Sequence, residues 1–221
     1  PLLGVLIFCS QIDLVLATEC TDSTYILQSQ EEVDEFVALE CTVVNGSLKI
    51  GLPSRYQVEA LNLDGLANLT EVGGDLQVAD QKGITNIDGL IGLTEVGGRV
   101  FIYGNDLLRD LLGLANLETI GGDLRIQGNR SLSELGDLDA LKSVGGVLEI
   151  DGNDALQTID GFQNLEEVKK GFSIYANESL LTFDGLRKLR KVGGFFRFLY
   201  NPLLEEISGF LSLEEVEGEM T

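Results

Sequence analysis

The sequence predicts an all-β fold, a parallel β-solenoid wound in coils of 24 residues, and three observations carry that prediction. The hexapeptide Leu-Thr-Glu-Val-Gly-Gly occurs at Leu69–Gly74 and again at Leu93–Gly98. Columns of like residues then recur in the same 24-residue step over seven copies, and the coils contain no long helical pattern. Asp123-Leu124-Arg125-Ile126 alternates polar with apolar, the mark of a strand with one buried face. A period of this length means that each unit buries its apolar side chains only by stacking on the next. A leucine-rich-repeat horseshoe is the alternative, because Leu124-x-Ile126-x-x-Asn129-x-x-Leu132 approximates that repeat.

The chain begins with an apolar run, residues 1–17, broken by Ser10, Gln11 and Asp13 and ending Val15-Leu16-Ala17. Small residues at that end suit cleavage of a secretory signal, so the segment is read as a signal-peptide remnant. A membrane span is the weaker reading, since the run is short for the roughly 20 apolar residues a span needs and carries a carboxylate. Loss of this segment removes Cys9 and leaves Cys20 and Cys41, for which one disulfide is expected in a secreted chain and two buried thiols are the alternative.

Residues 18–44 form an expected N-terminal cap. Ser29-Gln30-Glu31-Glu32 has the spacing of a capping box, and Val33, Phe36 and Val37 fall on one face of the short helix that follows. Residues 45–221 are the solenoid. Its first coil is four residues longer than the others, with the excess placed near Gly51–Arg55.

Each later coil repeats one pattern. Leu69, Leu93, Leu117, Leu141, Leu165, Leu189 and Leu213 form one column, and Val72, Val96, Ile120, Val144, Val168, Val192 and Val216 another. Gly73, Gly97, Gly121, Gly145 and Gly193 precede the main strand, where glycine permits backbone conformations closed to other residues. Asp64-Gly65, Asp88-Gly89, Asp160-Gly161 and Asp184-Gly185 mark a second corner. Asn105, Asn129, Asn153, Asn177 and Asn201 are expected to form a ladder of side-chain amides bonded to backbone groups left unpaired at a turn. Glu217–Thr221 enters a strand with no cap behind it, which leads to the expectation that the natural chain continues.

Composition excludes several function classes. The chain contains no His, which removes histidine acid–base chemistry, Ser-His-Asp triads and most zinc sites. A net charge of -21, spread along the chain, opposes nucleic-acid binding. No Gly-rich phosphate loop, calcium repeat or EF-hand spacing is present, and the Asp column is interrupted by Leu112 and Gly136. No cofactor, metal site or catalytic residue is expected.

The outward positions of the main strand are the expected ligand-binding surface. Arg99, Phe101, Tyr103, Arg125, Tyr175, Phe195, Arg197, Leu199 and Tyr200 are assigned there, and aromatic residues with Arg are the types that dominate binding interfaces. Four glycosylation sequons occur. Asn129 and Asn177 belong to the ladder and point inward by this reading, which leaves Asn45 and Asn68 as the expected glycan sites. The basic block Arg187-Lys188-Leu189-Arg190-Lys191 is read as a solvated corner rather than a site for an acidic ligand.

The opening signature resembles the receptor L domain, the ligand-binding module of insulin-receptor and epidermal-growth-factor-receptor ectodomains, also seen in fungal cell-wall glycoproteins. Cys20, the amphipathic helix, and Cys41-Thr42-Val43-Val44-Asn45-Gly46-Ser47-Leu48-Lys49-Ile50 carry the likeness, followed by the long first coil and the repeated coils. The resemblance implies a right-handed β-helix, secretion, glycosylation and non-enzymatic binding through the sheet face. Coils are more numerous and regular here than in the receptors, so the likeness carries a fold and a location rather than a growth-factor ligand. The expected function is an extracellular recognition module for a protein or carbohydrate ligand, part of a cell-surface receptor, held at a membrane only through an anchor beyond Thr221. A structural or adhesive wall or matrix glycoprotein is the alternative, and a β-helix polysaccharide-active enzyme a distant one.

Overall fold

The computed structural model describes residues 17–51, 60–136 and 138–221. The signal-like residues 1–16 lie outside the described residues, as does nearly all of the expected insertion near Gly51–Arg55.

The described residues form a parallel β-solenoid. Its main sheet has eight strands in chain order: Thr24–Leu27, Ser47–Ile50, Leu76–Ala79, Val100–Tyr103, Leu124–Gln127, Val147–Asp151, Gly171–Tyr175 and Phe195–Leu199. A second sheet stacks nine two-residue strands, from Glu19–Cys20 to Glu215–Val216. The presence of this second sheet in every coil favours the solenoid over a one-sheet horseshoe. Register follows the repeat: Leu124 lies between Val100 and Leu148, each 24 positions away. Leu48 instead pairs with Leu76 and Val44 with Val72, so the first coil does carry four extra residues.

The third side of the coil changes along the molecule. Asp64–Leu66, Asp88–Leu90, Leu112–Leu114 and Leu138–Ala140 are single 3-10 turns, after which the strands Thr158–Ile159, Thr182–Asp184 and Glu206–Ser208 form a small third sheet. The core changes with it. Aliphatic columns fill the early coils, whereas Phe162, Phe172 and Phe183 are fully buried in the later ones, with Phe172 stacked on Phe196 at 5.1 Å and Phe183 on Phe210 at 5.3 Å. One hydrophobic core runs the length of the described coils.

Two sets of glycines act differently. The glycines before the main strand have no positive φ; a side chain on Gly97 or Gly121 would run into the carbonyl of Gly73 or Gly97 on the coil beneath. Close stacking, not unusual backbone conformation, is therefore what they provide, which corrects the sequence expectation. The left-handed corner lies after the main strand, at Asp80, Gly104, Gly128, Gly152, Ala176 and Tyr200, with φ between 52° and 67°. At the Asp-Gly corner, the side chains of Asn62, Asn86 and Asp110 accept the N–H two residues ahead, at 2.8–3.2 Å, and so start three of the 3-10 turns.

The asparagine ladder is present. Each Oδ1 accepts the backbone N–H of the residue one coil earlier, from Gln81→Asn105 to Asn177→Asn201, at 3.0–3.1 Å. Each Nδ2 donates to a main-strand carbonyl of that earlier coil, from Val78 to Ile174, at 2.9–3.1 Å. At the N-terminal end, the helix Gln30–Val37 carries the reciprocal Ser29–Glu32 capping box and buries Val33 and Phe36. It forms the third side of the capping turn that precedes the first coil, tied by the Cys20–Cys41 disulfide, whose Cα atoms are 5.7 Å apart.

Candidate functional site: the exposed face of the main sheet

Alternation along each main strand sends one set of side chains into the core and the other outward, and parallel register aligns the outward set into files across the sheet. One file runs Lys49, Gln77, Phe101, Arg125, Glu149, Ser173 and Arg197. A second runs Tyr103, Gln127, Asp151, Tyr175 and Leu199. Arg99 and Phe195 lie just before these files, at the entry to the strand.

Eight of the nine residues selected from sequence gather into two clusters on this face, and Leu199 follows Tyr175 in the second file. In the first, the Arg99 and Arg125 guanidiniums lie 5.9 and 5.8 Å from the Phe101 ring centre, and the Gln77 side chain donates to the Tyr103 hydroxyl at 3.1 Å. In the second, Tyr175 and Tyr200 meet edge to face at 5.2 Å. Phe195 occupies the space above Gly171, where a side chain would collide with its ring, and the Arg197 guanidinium sits 4.7 Å from that ring.

Exposure separates members of the set. Tyr200 is 72% exposed and Tyr175 38%, while Phe101, Tyr103, Arg125, Phe195, Arg197 and Leu199 are half-buried. Tyr200 reaches solvent for a reason that alternation does not supply: it follows the strand Phe195–Leu199 and occupies the left-handed corner with φ 57°.

The band between the clusters is polar, and its acids and Gln127 were not among the residues selected from sequence. Arg125 bridges Asp123 at 3.3 Å and Glu149 at 3.5 Å, and Arg197 pairs with Glu219 at 3.1 Å, so these cations are balanced by acids of neighbouring coils. Asp151 has no ion pair among the described residues and receives only the Gln127 amide, at 3.4 Å. Partial burial holds its carboxyl above the ordinary value, and the Gln127 hydrogen bond partly offsets that shift. The signal for Gln127 and Asp151 was present as the 24-residue file through Tyr103 and Tyr175.

Other sequence candidates find clear surroundings. Asn45 and Asn68 are exposed, whereas Asn129 and Asn177 are fully buried in the ladder. Asn68 also lines a cleft of about 600 Å³ between the helix and the first coil, away from the sheet face. In the basic block, Arg187 pairs with Asp184, Arg190 with Glu214, and Lys191 with Glu215 and Glu217, while Leu189 fills its core column. Among the described residues, no group of three or more His, Cys, Asp or Glu side chains is placed to hold a metal, and no helix is long and apolar enough to cross a membrane.

Comparison with known proteins adds one finding. Residues 40–108 match the family model described as Receptor L domain. Searches of curated proteins and of solved structures returned no match. The matched segment contains Cys41, Asn45, Asn68 and the Arg99-Phe101-Tyr103 cluster; the Tyr175–Tyr200 cluster lies beyond it. Receptor L domains are extracellular, non-enzymatic modules that bind protein ligands. The likeness to receptor L domains is thus shown for residues 40–108, the cap-to-solenoid junction and the first coils.

Proposed function

We propose that this protein is an extracellular recognition module that binds a protein ligand through the exposed face of its main sheet, as part of a cell-surface receptor. The observation that carries the reading is the arrangement of that face. Eight parallel strands present Phe101, Tyr103, Tyr175, Phe195, Leu199 and Tyr200 with Arg99, Arg125 and Arg197 on one side of a rigid scaffold. Such a surface loses little freedom on binding, and its aromatic and Arg side chains are the types that concentrate binding energy. The family match supports the ligand-binding role, and the exposed Asn45 and Asn68 are accessible acceptors for glycans in a secretory route.

The test is a binding screen of the secreted chain against extracellular proteins and glycans, repeated with Tyr103→Glu, Tyr175→Glu and, on the second sheet, Glu71→Lys. A protein ligand that binds the parent, is lost with either tyrosine variant and is kept by Glu71→Lys supports the reading. Ligands that respond only to Glu71→Lys, or that remain bound to both tyrosine variants, overturn it.

A further inference from the structure

Tyr200 stands in a backbone conformation that bulky side chains rarely adopt. The same corner carries glycine in three coils, at Gly104, Gly128 and Gly152, so glycine is the residue this geometry suits. Tyr200 nevertheless occupies it, with most of its surface in water and only the edge-to-face contact with Tyr175 described for its ring. A side chain held at a strained corner without being buried contributes little to the core, which directs attention to what its ring offers outward.

Asp151 is the direct register partner of Tyr175, which in turn pairs with Leu199, the residue before Tyr200. Adjacent parallel strands lie about 4.8 Å apart, so the carboxylate and the ring are neighbours on the sheet surface. Two cations of the face are held elsewhere: Arg125 by Asp123 and Glu149, and Arg197 by Glu219 and the Phe195 ring. The result is a carboxylate with no ion pair among the described residues, next to Tyr175 in register, with Tyr200 against Tyr175 on the strand beyond, on a chain of net charge -21. Aromatic rings attract a cation through their electron-rich faces, and a partly desolvated carboxylate gains from a cationic hydrogen-bond donor.

We infer that Asp151, Tyr175 and Tyr200 form a receiving site for one basic side chain, Lys or Arg, of a protein ligand. Asp151 supplies the counter-charge, Tyr175 the wall along the strand, and Tyr200 the outer wall. This inference rests on the sheet-face reading above, and specifies which ligand group that face takes at its C-terminal end.

The test titrates the intact chain with three capped tripeptides, acetyl-Gly-Arg-Gly-amide, acetyl-Gly-Lys-Gly-amide and the uncharged acetyl-Gly-Gln-Gly-amide, following backbone amide shifts by NMR. The Arg or Lys peptide is expected to give saturable shifts centred on Asp151, Tyr175 and Tyr200, and the Gln peptide none. Asp151→Asn and Tyr200→Gly are expected to weaken that binding at least ten-fold, with Glu95→Gln, an acid of the second sheet, leaving it unchanged. Tyr200→Gly is also expected to melt no lower than the parent, because glycine suits the corner. That separates a ligand-facing ring from a structural one.

Shifts spread evenly over acidic surfaces and unaltered in Asp151→Asn and Tyr200→Gly would overturn the inference in favour of general electrostatic attraction. Absence of saturable shifts with either basic peptide would overturn it equally. Either result leaves the sheet-face reading standing if Tyr103→Glu or Tyr175→Glu still abolishes binding of a protein ligand. If neither does, both fall.

Discussion

The side chain of Asn153 accepts the backbone N–H of Asn129 at 3.0 Å and, through its own amide group, donates to the Ile126 carbonyl at 3.0 Å. One buried side chain therefore serves two backbone groups of the preceding coil, one in the main strand and one at the corner after it. Repeated at Asn105, Asn129, Asn177 and Asn201, this bond pair ties each coil to the one before it.

Replacing Asn153 by Ala leaves a buried donor and a buried acceptor without partners, each costing about 1–3 kcal/mol. The variant is expected to lose about 2–6 kcal/mol in urea denaturation. A loss below about 1 kcal/mol would mean that water or a local shift replaces the amide.

The glycine columns predict a contrast. In Gly121→Ala the new methyl meets the Gly97 carbonyl, whereas in Gly128→Ala it meets nothing within 4 Å but must adopt φ 62°. Both are expected to destabilise, Gly121→Ala by about 1–3 kcal/mol through overpacking and Gly128→Ala by about 1–2 kcal/mol through conformation. Gly128→Asn separates the two causes, because Asn tolerates the left-handed region and is expected to recover part of the loss. Equal losses for Ala and Asn at this position would refute the conformational account.

The Cys20–Cys41 bridge spans a sequence separation of 21. Chain-entropy arguments assign a loop of that size about 3 kcal/mol. The Cys20→Ser, Cys41→Ser double variant is expected to lose hydrogen-exchange protection first in Thr24–Leu27 and Gln30–Val37, while the later coils keep theirs, since each coil contacts only its neighbours. Uniform loss of protection along the chain would contradict that repeat-wise picture.

Asp151 has its carboxyl raised by desolvation above the ordinary 3.8, with Gln127 acting in the opposite direction. The folded state therefore binds this proton more tightly than the unfolded chain, so ionisation penalises folding above the raised value, and the penalty disappears as pH falls past 3.8. Asp151→Asn is expected to be more stable than the parent at pH near 7 and to lose that advantage near pH 3. A constant difference across that range would show that charge is not its cause.

The sequence by itself determined the solenoid, its 24-residue period, the longer first coil, the capping helix, the inward asparagines and the outward face, because stacked identical coils turn sequence period directly into spatial neighbours. Phe101 and Tyr103 were legible as outward residues from alternation alone. Tertiary structure decided what depends on contact between coils. The glycines before the main strand look like turn residues in sequence, yet they serve close approach of one backbone to another. Likewise, Phe195 rests over Gly171, Arg125 is held between two acids, and Asp151 lies beside Tyr175 with no ion pair among the described residues. Periodicity specifies which positions meet; the size and charge of the side chains that meet there decide which are occupied with one another and which remain available to a ligand.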